Sequence, residues 1–102
     1  MIRDRFLSEL IGTFVFVAVI ITTAEPVAIA AALLTAIYMG GKISGGHFNP
    51  AVTAAMWIHN IISPTIFLTY VAAQLIGAAL AVAWCNTTAA TIRELATNGQ
   101  YN

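Results

Sequence analysis

Few side chains in this chain of 102 residues could do chemistry, because 60% of the residues are hydrophobic and only 8% are charged. The polar groups that stand out gather in one stretch, ISGGHFNPAVT at positions 43–53, which sets Gly45, Gly46, His47 and Asn49 inside an otherwise apolar chain. The sequence offers no nucleophile with a neighbouring base and no phosphate-binding glycine loop, so an enzyme is not expected. His47 has no second His, Cys or carboxylate at ligand spacing, and His59 stands alone; the reading is no metal and no cofactor. What the stretch offers is hydrogen bonding. Gly45 and Gly46 let the chain run extended and leave a row of backbone carbonyls as free acceptors. Asn49 precedes Pro50, a pairing favoured at helix starts: its side-chain oxygen accepts from the N–H of Ala51 or Val52, and its NH₂ is left outward as a fixed donor.

The elements that must position these groups follow from hydropathy. An ordinary soluble domain carries about 25% charged residues, and here the mean hydropathy is +0.87. A formal net charge of zero gives no basic field for nucleic acid. The lone Cys85 forms no internal disulfide and reads as a packing residue. Three long apolar runs occupy residues 6–23, 24–41 and 65–84, each near the roughly 20 helical residues that cross about 30 Å of hydrocarbon. Glu25-Pro26 joins the first two so tightly that they must be antiparallel neighbours, and Ser63-Pro64 starts the third. Between them, residues 43–49 form a re-entrant loop and residues 50–59 a short helix of roughly 15 Å, about half a bilayer. The fold class expected is an all-α membrane protein, three transmembrane helices plus one re-entrant half-helix in a single domain over residues 1–102. A polar tail, residues 86–102, is expected to add a helical turn or two around residues 92–95.

Arg3 and Arg5 ahead of an apolar stretch also resemble a cleavable secretory signal, although Glu9 at the head of that stretch counts against it. Arg3, Arg5 and Lys42 fall on one side of the three spans and Arg93 on the other. That bias favours a cytoplasmic N-terminus, and its small size leaves dual topology open.

Irregular backbone survives at membrane depth only where it is buried in protein or lines a water-filled cavity. A half-helix that starts at the membrane centre also brings the positive end of its dipole there. Acceptors in a row, a donor at the midplane and a positive potential suit neutral molecules that both give and take hydrogen bonds, such as water and small polyols. The plainer alternative is that Asn49-Pro50 merely starts a helix in a kinked interfacial loop. Glu9, an ionisable residue inside a span, is a functional suspect by default; its plainer reading is a side chain snorkelling to the interface.

The stretch ISGGHFNPAVT, with SELIGTFVFV in the first span and VAAQLIGAALAVA in the third, resembles the first half of the aquaporins and aquaglyceroporins, the major intrinsic protein family. The resemblance covers residues 6–84. It implies that the carbonyls of Gly45, Gly46, His47 and Phe48 line a pore, that Asn49 of the Asn49-Pro50-Ala51 motif donates to the permeant, and that Glu9 and Gln74 support the loop from behind. Gly77 and Ala78 match a close-packing surface on the third span. An ungapped match places Ile29 at the selectivity-filter position that is aromatic in many members. Family members resemble two inverted repeats, and this chain matches one. The filter arginine that follows the second motif has no counterpart, since Val52 follows Ala51. The partners implied are a water or polyol permeant, the lipid bilayer, and either a second, inverted copy, further assembled into a tetramer of pairs, or a separate half-channel chain. A non-transporting membrane structural or assembly protein is the third reading.

Overall fold

The computed structural model describes the backbone of residues 1–101 and the side chains of residues 1–98. Among the described residues all regular structure is helical: α1 (Ile2–Thr23), α2 (Pro26–Ser44), α3 (Pro50–Ile58) and α4 (Pro64–Tyr101). Three of them, α1, α2 and α4, are long and apolar enough to cross a membrane.

Each helix end has a local cause. At the end of α1, Ala24 adopts a left-handed conformation (φ 50°) and its N–H bonds Ile20 O. Glu25 then caps α2, its carboxylate accepting from the N–H groups of Val27 (3.1 Å) and Ala28 (2.7 Å), with Pro26 at the first helical position. The α1–α2 link is therefore two residues long, and the helices turn back on each other. Gly45 (φ 88°) closes α2, because only glycine takes that conformation freely. Ser63 starts α4, its hydroxyl accepting from Ile66 N at 3.2 Å.

Helix α1 is the centre of the bundle, packed on α2 on one side and α4 on the other, while α3 lies against α4. The contacts between α1 and α4 rise together along both chains: Glu9 meets Gln74, Leu10 and Phe14 meet Gly77, and Ala18 packs with Ala81 and Cys85. These two helices therefore run parallel. Their seam is made of small residues, with Ala73, Gly77, Ala81 and Cys85 buried at every fourth position of α4, the pattern that lets membrane helices approach closely. At Gly77 a Cβ would collide with the Leu10 carbonyl. Large apolar side chains such as Leu68, Leu75 and Leu80 are exposed on the outer faces, where a bilayer is their solvent.

The third span does not end in coil. Helix α4 continues without a break through the polar residues after Trp84 and runs 38 residues. Between Ala81 and Asn98 no glycine or proline interrupts it, and Ala, Leu, Arg and Glu favour the helix it already belongs to. The molecule is accordingly elongated, 60 × 25 × 20 Å.

The seam makes a direct test. Gly77→Ala is expected to destabilise the α1–α4 pair by about 1–3 kcal/mol, the usual cost of overpacking. Ala72→Leu, on the exposed side of the same helix, should stay within about 0.5 kcal/mol of the parent. SDS-titrated unfolding in mixed micelles separates the two variants; equal stability of both would refute the close seam.

Candidate functional site

Residues 45–49 connect the end of α2 to the start of α3, and their conformation is irregular by design of the backbone. Gly45 (φ 88°), Gly46 (φ 69°) and Phe48 (φ 52°) all take left-handed angles, which is unusual for a bulky residue such as phenylalanine. The surroundings explain it. The Phe48 ring is 2% exposed and fills a slot whose walls are Gly12 of α1 and Gly40 of α2. A Cβ on Gly12 would overlap the ring, and one on Gly40 would lie 3.1 Å from Phe48 Cζ and 2.6 Å from Ser8 Oγ. Two glycines on facing helices thus make room for one aromatic ring, and the ring holds the loop down.

The second anchor is electrostatic. Glu9 is fully buried, and its carboxylate accepts four hydrogen bonds. Oε2 takes Ser44 Oγ–H (2.6 Å) and His47 N–H (3.1 Å); Oε1 takes Phe48 N–H (2.7 Å) and the Gln74 amide (2.9 Å). One side chain of α1 thereby ties together the end of α2, the loop and α4. A buried carboxylate is tolerated only with such a complement of donors. Around it, Gly46 N–H donates to Ser44 Oγ (3.3 Å) and Tyr70 O–H donates to Ser44 O (2.6 Å). Gln74 also donates to Thr53 Oγ (2.8 Å), which lies 2.9 Å from His47 Nδ1.

The consequence is a loop with two unlike sides. The N–H groups of Gly45, Gly46, His47 and Phe48 all bond inward, to Gly41 O, Ser44 Oγ and Glu9. Among the described residues no hydrogen bond is made to the carbonyl oxygens of those four residues. At the head of α3, Asn49 is exposed, its Oδ1 accepts from Ala51 N at 2.8 Å, and its NH₂ is left without a protein partner. Pro50 and Ala51 form the first turn of α3, whose nine residues span roughly 14 Å and whose positive dipole end lies at Asn49.

Glu9, Gln74 and residues 45–49 are thus brought together. Ile29 is not: it is half-buried near the start of α2, roughly 22 Å of helix from Ser44. The sequence does not single out Ser8, Gly12, Ser44, Thr53 or Tyr70. Three of them carry a faint signal, since Thr53 stands four residues after Asn49, Tyr70 four before Gln74, and Gly12 three after Glu9, each one helical turn from a residue that does stand out.

Comparison with known proteins gives a consistent set of similarities. The family model described as major intrinsic protein matches residues 24–101. A glycerol uptake facilitator protein-like 6 of Lactiplantibacillus plantarum is 43% identical over 88 residues, 78% of this chain and 41% of that protein. Aquaporin Z of Photorhabdus laumondii is 37% identical over 94 residues, again 78% of this chain and 41% of its own length. A probable aquaporin of Archaeoglobus fulgidus is 33% identical over 110 residues, 78% of this chain and 45% of its own. The chain spans less than half the length of these relatives. No solved structure matches it.

The carboxylate anchor predicts a local effect. Glu9→Gln turns one acceptor oxygen into a donor, so at least one loop N–H or hydroxyl loses its partner at about 1–3 kcal/mol per buried group. Amide hydrogen exchange in micelles should show the protection of His47 and Phe48 lost while the amides of residues 14–20 in α1 keep theirs. Unchanged protection at both His47 and Phe48 would show that the ring slot alone fixes the loop.

Proposed function

The chain belongs to the major intrinsic protein family, and on that premise we propose that it is half of a passive transmembrane channel for water and small neutral solutes such as glycerol. The observation that supports this most is the polarised loop, whose N–H groups all point into the protein while four successive carbonyls carry no bond. A single file of molecules that each donate and accept matches those carbonyls together with the free NH₂ of Asn49. The channel function needs no reacting group, and the site is read as non-enzymatic.

One half-helix closes half a pore. The complement proposed is a second copy of this chain inserted in the opposite sense, related by a two-fold axis in the membrane plane, so that the two Asn49 residues face each other at the centre. Arg3 and Arg5 at the start of α1 and Lys42 in the last turn of α2 lie at one end of the α1–α2 hairpin, and this end is assigned to the cytoplasm in the majority orientation. With Ile29 at the filter position that is aromatic in many family members, the constriction is expected to discriminate poorly between water and glycerol.

Two measurements carry the test. In osmotic swelling of proteoliposomes holding only this chain, the parent should conduct both water and glycerol. Asn49→Ala should lose most of that permeability and also about 0.5–2 kcal/mol of stability with the cap. Equal permeability of parent and variant would overturn the pore reading. For the inverted pair, Lys42→Cys in a Cys85→Ser background should be labelled in a substantial fraction by an impermeant thiol reagent added outside intact cells. No labelling before permeabilisation excludes the inverted copy; conduction by the chain only with a separate half-channel polypeptide, or no conduction at all, would point respectively to a split channel or to a structural protein.

A further inference from the structure

Thr53 is fully buried, and its hydroxyl stands between three polar atoms: Gln74 Nε2 at 2.8 Å, His47 Nδ1 at 2.9 Å and Asn49 O at 3.3 Å. The hydroxyl has one proton to give, and where it goes decides which nitrogen of a neutral His47 carries a hydrogen.

The direction is set from the far end. Gln74 uses both amide hydrogens, one on Glu9 Oε1 and one on Thr53, while its Oε1 is buried with no partner. Turning the amide over would place that oxygen against the Glu9 carboxylate, acceptor to acceptor, so Glu9 holds the amide in the orientation that donates to Thr53. Accepting a hydrogen bond makes the Thr53 O–H a stronger donor. Of its two possible acceptors, Asn49 O already takes the backbone N–H of Thr53 at 3.1 Å, and the 3.3 Å separation lies beyond the usual O–H···O range. His47 Nδ1 is the nearer and the unoccupied one.

We propose that Glu9, acting through Gln74 and Thr53, fixes His47 as the tautomer protonated on Nε2, so that the mouth of the loop presents one N–H donor beside the free carbonyls. The ring is half-buried, held edge-on by Tyr70 at a centroid distance of 4.9 Å. Its Nε2 edge lies beside Gly45, 3.6 Å from where a Cβ would stand, and Gly45, lacking a side chain, leaves that edge open. A molecule meeting the loop there must offer an acceptor to His47 and donors to the carbonyls, which deepens the specificity of the channel reading and rests on that reading only for this consequence. Gln74 and Thr53 are positioning residues; they act through the imidazole and do not themselves face the loop mouth.

The test reads the tautomer directly. The protein holds two histidines, and His59 is exposed, so His59→Gln leaves one ring to observe. Nitrogen NMR of histidine-labelled protein in lipid, at alkaline pH where the ring is neutral, should show a protonated Nε2 and a bare Nδ1. A proton on Nδ1, with Thr53 donating to Asn49 O instead, overturns the proposal, and this measurement needs no site variant to fold. In Gln74→Met the single tautomer should give way to a mixture of both; a folded Gln74→Met protein that keeps only the Nε2–H form overturns the role of Gln74. Should that variant not fold, Thr53→Val is read in its place by the same criterion. Swelling rates are independent of this readout, so a chain that fails to conduct and a ring with the wrong tautomer are distinguishable failures.

Discussion

A carboxylate placed among membrane helices has no water to lean on, so the protein must surround it with donors or lose it. Glu9 meets that demand by collecting hydrogens from four directions, and the geometry of everything near it follows from which hydrogens they are. Two are loop amides, one is the hydroxyl at the end of α2, and one is the side-chain amide of α4. Because a loop N–H that points at Glu9 is not available elsewhere, the faces of the loop become chemically distinct. The charge thus sorts the polar groups of an irregular segment into a satisfied side and a free one.

The apolar half of the same anchor is steric. A left-handed phenylalanine is costly in itself, and it persists here because its ring has a slot between Gly12 and Gly40 that nothing else fills. The slot requires glycine on both walls, whereas the Gly77 seam requires glycine for a different reason, the approach of the Leu10 carbonyl. Polar and apolar restraints act on neighbouring residues, His47 and Phe48, so the loop is fixed in both position and orientation.

Much of this arrangement was legible in the sequence because hydropathy and proline placement are local signals. The three apolar helices, a break between the second of them and the short helix, and the Asn49-Pro50 start are legible from runs and caps alone, although the apolar run stops at residue 41 and α2 continues to Ser44. The supports of the loop could not, since Ser44, Thr53 and Tyr70 acquire their roles only where four segments converge, and the hydrogen bond from Gln74 to Glu9 joins residues 65 apart. Phe48 was read for its carbonyl, while the packing of its ring depends on glycines in two other helices. The length of α4 is not legible for another reason: a polar composition after Trp84 reads as an end of the span, but polarity alone does not end a helix, and no glycine or proline falls between Trp84 and Asn98.

That separation of 65 residues between acceptor and last donor also constrains how the protein is made. Glu9 is synthesised before its loop donors, which follow about forty residues later, and Gln74 comes later still, in α4. Any insertion route that releases α1 into lipid alone strands the carboxylate without partners, whereas a route that retains α1 in a hydrated protein environment until α4 emerges lets all four bonds close together. The buried charge is therefore fully satisfied only when α1, the end of α2, the loop and α4 are assembled together.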